Sequence, residues 1–196
     1  MDVNNRIARR VRELRDAQGL SLDALAERSG VSRSNISLIE RGQSSPTAVV
    51  LDKLASALGV TLASLFEERA GSLAEPSPVA RVAEQPVWTD PASGYVRRNV
   101  SPAVRSPIQL VDVVFPAGQQ VSYDSTVREA DIHQQIWMID GAMEITLGAE
   151  QWRLEAGDCL AMRLDQPIVY RNPTRKPARY LVALVNLPFV STRRNA

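Results

Sequence analysis

The spacing of apolar residues changes once along this chain of 196 residues, and that change constrains its fold more than any other feature. From about residue 4 to residue 66, apolar side chains recur every three or four positions, as Ile7, Val11 and Leu14 do, which is typical of amphipathic helices. Later they fall in short β-branched and aromatic runs separated by turn residues, as in Ile108–Phe115. The sequence therefore predicts an α+β protein with an all-α domain followed by an all-β domain.

Glycines that end helices and hydroxyl residues that cap them divide the first part into five predicted helices. The first helix ends at Gly19. The second runs from its cap Ser21 to about Arg28, the third from its cap Ser32 to Gly42, the fourth from Pro46 to Gly59, and the short fifth from Thr61 to Phe66. The interhelical turns are short, so we expect a compact five-helix bundle.

The segment 69–79 combines Gly71, Pro76 and Pro78 with charged residues and few large apolar ones, which is typical of a linker. We therefore expect one domain at residues 1–68 and a second at residues 80–196.

Short predicted strands with turn residues between them fill the second domain. They are Ile108–Phe115, Gln135–Ile139, Met143–Leu147, Trp152–Leu154, Cys159–Met162, Ile168–Tyr170 and Tyr180–Val185. Many short strands of even spacing predict an antiparallel sandwich or barrel.

Several protein classes are disfavoured by composition. The longest apolar runs, such as Tyr180–Leu187, are far shorter than the roughly 20 residues that a membrane-spanning helix requires. Asn4, Asn5 and Arg6 interrupt any signal-peptide pattern, so we expect a cytoplasmic protein.

Cys159 is the single cysteine and His133 the single histidine. An intramolecular disulfide is excluded, and the usual zinc-ligand clusters lack their ligands, so we expect neither a metal nor another cofactor. Cys159 alternates out of phase with Leu160 and Met162, and we expect it to be a buried small hydrophobic residue rather than a redox sensor.

The net charge of +1 does not indicate a nucleic-acid partner. Arginines crowd the first predicted helix, at Arg6, Arg9, Arg10, Arg12 and Arg15. This cluster is either a positive face for phosphate or a solvated arginine-rich helix.

The second and third predicted helices, joined by a turn at 29–32, form a helix-turn-helix unit in which Leu25, Val31 and Ile36 supply an inner face. The residues that form the motif are Leu25-Ala26, Gly30-Val31-Ser32, Ile36, Ile39-Glu40-Arg41-Gly42, Pro46 and Leu58-Gly59-Val60. Over residues 4–66 this pattern resembles the XRE family of regulators, which includes phage repressors and Cro-like proteins.

The resemblance implies that the third helix enters the DNA major groove. It places seven residues against DNA: Ser21, Ser32, Arg33, Ser34, Asn35, Ser37 and Arg41. Of these, Arg33, Ser34 and Ser37 would face the bases, with Arg33 suited to a bidentate contact with guanine. The others would contact the phosphate backbone, and Leu38 would either touch a thymine methyl group or pack internally.

The family pattern also implies a buried salt bridge between Arg15 and Glu40, which would orient the third helix. The alternative is that both are unconnected surface charges.

The second domain resembles the cupin family over residues 105–190, on the residues Phe115-Pro116-Ala117-Gly118, Asp140-Gly141, Gly157-Asp158, Pro167 and Asn172. Many cupins hold a metal through histidines and a glutamate. Counting from these anchors puts Gln134 and Ile168 at two ligand positions and, less securely, Asp124 and Thr126 at two more. The neutral amide of Gln134 and the aliphatic side chain of Ile168 would not hold a metal as carboxylate and imidazole do.

If Gln134 faces the barrel interior, alternation predicts an apolar effector pocket with an amide and a phenol as polar groups. Its predicted lining is Gln134, Ile136, Met138, Leu160, Met162, Ile168 and Tyr170. A barrel filled by these side chains is the alternative. His133, next to Gln134, should point away from the interior.

Together the two resemblances imply a transcriptional regulator that binds a double-stranded DNA operator as a homodimer and responds to a small organic effector. A barrel that serves only dimerisation, and a cupin enzyme fused to a DNA-binding domain, remain the alternatives.

Overall fold

The computed structural model describes residues 3–67, 76–104, 106–124 and 131–187. Its helices are α1 (Val3–Ala17), α2 (Leu22–Ser29), α3 (Arg33–Glu40) and α4 (Ala48–Ala57). The prediction of a fifth α-helix was wrong in type: Ala63–Phe66 is a single 3-10 turn. The backbone at Glu67 is already extended, so the segment is too short for α-helical hydrogen bonds to propagate. None of the described helices is both long enough and apolar enough to span a membrane.

Hydroxyl caps fix where the helices begin. The side-chain oxygens of Ser21, Ser32 and Thr47 accept from the backbone N–H groups three residues later, at 3.1, 3.3 and 3.4 Å. Each cap satisfies one N–H that the first helical turn leaves unpaired. Gly30 ends α2 with a φ of 66°, a left-handed conformation that glycine adopts without steric cost.

Fully buried apolar side chains hold the helices together. Ile7 and Val11 of α1 meet Leu25 of α2, Ile36 of α3 and Leu51 of α4 in this core, each with 0% of its surface exposed. Because α3 contributes Ile36 and the nearly buried Ile39 to the core, its opposite face is directed outward.

Ten strands follow: β1 (Val87–Thr89), β2 (Val96–Asn99), β3 (Ile108–Phe115), β4 (Gln120–Tyr123), β5 (Asp131–Asp140), β6 (Ala142–Leu147), β7 (Glu150–Glu155), β8 (Cys159–Arg163), β9 (Ile168–Arg171) and β10 (Ala178–Leu187). They form a six-stranded sheet, β1-β2-β3-β10-β5-β8, and a four-stranded sheet, β4-β9-β6-β7. Every pairing is antiparallel. The last eight strands, four in each sheet, have the jelly-roll arrangement of cupins, so the predicted fold class is confirmed.

The helical part packs directly on the barrel through a group of contacts that we call the seam. Asp90, which precedes β2, accepts a hydrogen bond from the backbone N–H of Ala48 at the start of α4, at 2.9 Å. The ring of Phe66 lies 5.6 Å from that of Trp88, and Trp88 lies 5.8 Å from Tyr95. Thr61 donates a 2.7 Å hydrogen bond to the Gln109 side chain in β3.

The predicted linker overlaps residues 68–75, which lie outside the described residues, while residues 76–79 are irregular. The predicted domain limits therefore stay a prediction. Thr126 also lies outside the described residues, and Asp124 is exposed at the end of β4.

The prediction that Cys159 is buried was wrong, because Cys159 is exposed. It pairs with Trp137 across β8 and β5, and β8 is the edge strand of the six-stranded sheet. The alternation was correct, but the face that Cys159 shares with Trp137 is the outer one.

Candidate functional site

The outward face of α3 carries polar side chains at its N-terminal end. Ser32, Arg33 and Ser34 are exposed, Asn35 and Ser37 are half-buried, and these residues form a continuous polar patch with Ser21 of the α2 cap. Leu38 continues this face with 37% of its surface exposed, so it does not pack in the core. We call this patch, together with Leu38 and Arg41, the recognition surface.

Arg33 is held loosely in the free protein. Its Nε lies 3.1 Å from Asp23 Oδ1 of α2, but the two side chains are 63% and 75% exposed. Such an exposed ion pair contributes about 1 kcal/mol or less. The guanidinium can therefore leave Asp23 at little cost when a stronger acceptor arrives.

The serines of this surface use their oxygens within the protein but keep the capacity to donate. Ser32 Oγ accepts from the Asn35 N–H and lies 3.2 Å from Ser34 Oγ, while Ser21 Oγ accepts from Ala24. A hydroxyl has one proton and two lone pairs, so each can still donate to a phosphate oxygen.

Arg15 of α1 and Glu40 of α3 form a bidentate ion pair. Arg15 Nε and Nη2 lie 2.6 and 2.8 Å from the two Glu40 carboxylate oxygens, and the side chains are only 13% and 8% exposed. Arg15 also donates to the carbonyl of Leu20 at 2.9 Å. The hydrogen bond to Glu40 raises the pKa of Arg15 above its usual value. This pair fixes the end of α3 against α1.

Three other arginines of α1 form ion pairs along their own helix. Arg9 and Arg10 lie 3.6 and 3.7 Å from Glu13, and Arg12 lies 3.7 Å from Asp16. Arg10 also donates to the carbonyl of Ser64 in the 3-10 turn. These contacts favour the solvated-helix interpretation for Arg9 and Arg12, whose side chains are 42% and 67% exposed, whereas Arg10 is 16% exposed and packs against the 3-10 turn.

Inside the barrel lies a cavity of about 80 Å³. Gln134 Nε2 donates to the Tyr170 hydroxyl at 2.8 Å on one side of it, and Ile168 lies beside them. Of the seven predicted lining residues, only these three contact the cavity. Ile136, Met138 and Met162 are buried in the packed core and Leu160 packs against it, because side chains fill the far end of the barrel.

The helical part contributes to the wall of the cavity. Asp52 of α4 together with Thr61 and Leu62 before the 3-10 turn line its wall, opposite residues of both sheets. Asp52 is 3% exposed. The cavity therefore lies at the seam and belongs to both parts of the chain.

The remaining polar wall comes from residues that sequence reasoning missed. They are Tyr95, Arg97, Tyr123 and Tyr180. The hydroxyls of Tyr95 and Tyr123 lie 3.1 Å apart. The one sequence signal was the alternation of Tyr95 and Arg97, which puts two large polar side chains on the same face of an extended segment.

Among the residues that the structure describes, no three His, Cys, Asp or Glu side chains cluster closely enough to hold a metal ion. His133 is on the outer face of β5, with its Nε2 3.3 Å from Asp131 Oδ1. The structure thus places it away from Gln134, as alternation predicts.

Comparison with known proteins identifies similar chains. A family model described as helix-turn-helix matches residues 11–65. The HTH-type transcriptional regulator SutR of Escherichia coli is 26% identical over 178 residues, which cover 83% of this chain and 84% of that protein. The HTH-type transcriptional regulator y4dJ of Sinorhizobium fredii is 38% identical over 61 residues, 31% of this chain and 79% of that protein.

Among solved structures, an HTH_3 family transcriptional regulator from Vibrio cholerae superposes with a TM-score of 0.73. The match covers 93% of this chain and 96% of that one at 23% identity. The similarity therefore extends over the helices and the barrel together, and it supports the fold.

Proposed function

Because residues 11–65 match a family model described as helix-turn-helix, we propose that α3 reads a DNA operator in the major groove through Arg33, Ser34 and Ser37. The observation that carries this proposal is the division of α3 into a buried face, which includes Ile36 and Ile39, and the exposed polar recognition surface. An eight-residue helix so divided can enter a groove without exposing the core.

Arg33 is the residue best suited to discriminate between bases. A guanidinium donates two parallel hydrogen bonds to the O6 and N7 atoms of guanine, which is worth about 1–3 kcal/mol of discrimination. Ser21, Ser32, Asn35 and Arg41 surround it and would contact phosphates. Arg41 Nε donates to Gln43 at 3.0 Å in the free protein, an exposed contact that a phosphate can replace.

Selection of binding sequences from a pool of randomised DNA duplexes tests this function. We expect enrichment of one half-site, repeated in inverted orientation with centres about one helical turn apart. Arg33→Ala should lower affinity for the selected duplex about tenfold while changing affinity for a scrambled duplex little.

The matched control is Arg153→Ala, which removes the same charge from an exposed position on β7. It should bind both duplexes as the wild type does. An equal loss by Arg33→Ala on selected and scrambled DNA would contradict the role of Arg33 in reading bases.

An inverted repeat requires two copies of α3, so we propose a homodimer held by the outer face of β10, β5 and β8. Trp137 at the centre of this face is 50% exposed and Ile139 is 38% exposed. Trp137 pairs with Leu181 of β10 on one side and with Cys159 of β8 on the other, which extends the surface across three strands. A second copy of the chain, placed by a two-fold axis, would cover this surface.

Sedimentation equilibrium checks the dimer. Trp137→Ser should shift the protein toward the monomer, while Val87→Ser, at an exposed apolar position on β1, should not. A monomeric wild-type protein would contradict the proposal.

We further propose that the barrel cavity binds a small organic effector and has no enzymatic role. Occupancy would act on DNA binding through the seam, because Asp52, Thr61 and Leu62 belong to the helical part and line the cavity. A ligand that binds the folded state must raise its unfolding temperature, so a thermal-shift screen of small metabolites tests this role. A barrel that serves only dimerisation predicts no such ligand.

A further inference from the structure

Arg97 of β2 is a buried arginine that forms no ion pair within 4.0 Å with a carboxylate of the described residues. Only 7% of its surface is exposed. Its guanidinium carbon lies 4.9 Å from the centre of the Phe66 ring, and its Nε has no hydrogen-bond partner among the described residues.

A buried positive charge is costly unless an anion or several hydrogen bonds stabilise it. The face of one aromatic ring supplies only part of that stabilisation, about 2 kcal/mol in a desolvated setting. The side chain therefore has an unused capacity to bind a negative group.

That capacity is directed into the cavity, because Arg97 is one of its lining residues. The same charge acts on three phenols of the wall. Burial raises the pKa values of Tyr95, Tyr123 and Tyr180, and the positive charge of Arg97 opposes the rise in each case. The guanidinium thus lies near hydroxyl groups that can donate additional hydrogen bonds to an anion.

The size of the cavity limits what can enter. A volume of 80 Å³ corresponds to on the order of five to eight water positions, since each needs roughly 10–15 Å³. Apolar side chains, among them Val113, Val121 and Leu184, form the rest of the wall. The ligand is therefore a compact molecule with one polar end and a short apolar remainder.

Asp52 limits the number of negative charges that the ligand can carry. Its carboxylate lines the same cavity from α4, and its negative charge contributes to raising the pKa of Tyr123. Arg97 is the one cationic side chain among the described residues that line the cavity, so it can balance one ligand carboxylate, whereas a second carboxylate near Asp52 would have no counter-charge from this wall.

We propose that the cavity binds a small organic monocarboxylate, whose carboxylate group is held by Arg97 and the neighbouring phenol hydroxyls. This inference names the ligand class for the effector role proposed above and rests on that role. A compact monocarboxylate would place its negative charge beside the Arg97 guanidinium. A neutral molecule of the same shape would fill the cavity without supplying that charge.

Titration calorimetry of the full chain without DNA tests the site, with butyrate, butyramide and succinate as probes. Butyrate should bind at least about tenfold more tightly than butyramide, because hydrogen bonds to charged groups contribute about 1.5–3 kcal/mol. Succinate should bind more weakly than butyrate. Equal binding of butyrate and butyramide, tighter binding of succinate, or no binding of butyrate would overturn the proposal.

Arg97→Gln should remove the preference for butyrate, and its fold is checked by circular dichroism. The matched control is Arg98→Gln, whose side chain lies on the opposite face of β2 near the carbonyl of Val82, and which should bind butyrate as the wild type does. If Arg97→Gln does not fold, Arg97→Lys keeps the charge and should retain a weaker preference for butyrate over butyramide. Loss of butyrate binding in Arg98→Gln, or an unchanged preference in a folded Arg97→Gln, would contradict the site.

Because no DNA is present, failure of these titrations is distinct from failure of the DNA-binding function. A protein that selects an operator but binds no carboxylate would leave the recognition surface valid and refute the ligand class.

Discussion

The recognition surface and the barrel cavity place their charged groups in opposite environments. Arg33 is 63% exposed and loosely paired with Asp23, whereas Arg97 is 7% exposed and lines the barrel cavity. A surface that binds DNA gains much of its affinity by neutralising phosphates and releasing their counterions. Its arginines can therefore remain in water until binding. A small molecule can form only a few contacts with its site. Burial strengthens each charged or hydrogen-bonded contact, because the interior has a lower dielectric constant than water.

The two sites also differ in how the chain assembles them. Seven of the eight residues of the recognition surface lie from Ser32 to Arg41, within or beside one helix. The cavity wall joins Asp52, Arg97, Gln134 and Tyr180, which are brought together only by the packing of helices on sheets. Local structure therefore specifies the first site, and tertiary structure specifies the second.

The largest expected change in the free energy of unfolding is at the buried ion pair of Arg15 and Glu40, compared with an exposed pair. Glu40→Ala leaves Arg15 without its bidentate partner, and we expect the free energy of unfolding to fall by about 3 kcal/mol. Urea denaturation measures the change. Glu144→Ala, which breaks an exposed 3.0 Å pair with Arg171, should cost about 1 kcal/mol or less. Similar losses in the two variants would show that Arg15 and Glu40 do not act as a buried pair.

A smaller effect is expected at the seam. Asp90→Ala leaves the backbone N–H of Ala48 and both donors of Ser93 without their acceptor, and an unsatisfied buried donor costs about 1–3 kcal/mol. We expect a loss of about 2 kcal/mol and, by hydrogen exchange, faster exchange at the start of α4. Asp112→Ala, which removes an acid from an exposed pair with Arg179, is the control. Unchanged exchange in α4 would contradict the role of Asp90 in joining the two parts.

The smallest effect concerns alkaline pH and the cavity wall. Burial raises the pKa of Tyr180 well above 10, so the folded protein keeps the phenol proton after the unfolded chain has lost it. Stability is therefore complete below pH 10 and is lost as pH rises toward the folded pKa, by about 1.4 kcal/mol at pH 11. Tyr180→Phe should show less of this loss in urea titrations at pH 9 and pH 11. The same pH dependence in both proteins would indicate that the phenol is accessible to solvent.

Features that depend on local structure could be predicted from the sequence, whereas features that depend on tertiary packing could not. The caps at Ser21 and Ser32, the turn at Gly30 and the inner face of α3 depend on neighbouring residues, and the predicted fold class is confirmed. The strands β1, β2 and β4 were not predicted, because they are short and β2, with the residues Val-Arg-Arg-Asn, carries little apolar signal. Three of the seven predicted pocket residues contact the cavity and four do not. Alternation predicts whether a side chain faces the barrel interior, but it does not predict which part of the interior is filled by side chains.

Arg97 and Asp52 show why the rest could not be predicted. In sequence, each is an ordinary charge, one on a strand and the other on a helix. Their burial depends on the helical part packing on the barrel, and no local pattern encodes that contact.

Methylation interference on the selected operator tests the central claim most directly, because methylation of guanine N7 in the major groove removes one of the two acceptors for Arg33. For the wild-type protein, we predict that methylating one guanine in each half-site weakens binding, measured by gel shift. For Arg33→Ala, the same methylation should have no effect at that guanine. Interference that persists unchanged in Arg33→Ala would contradict the assignment of Arg33 as a base-reading residue.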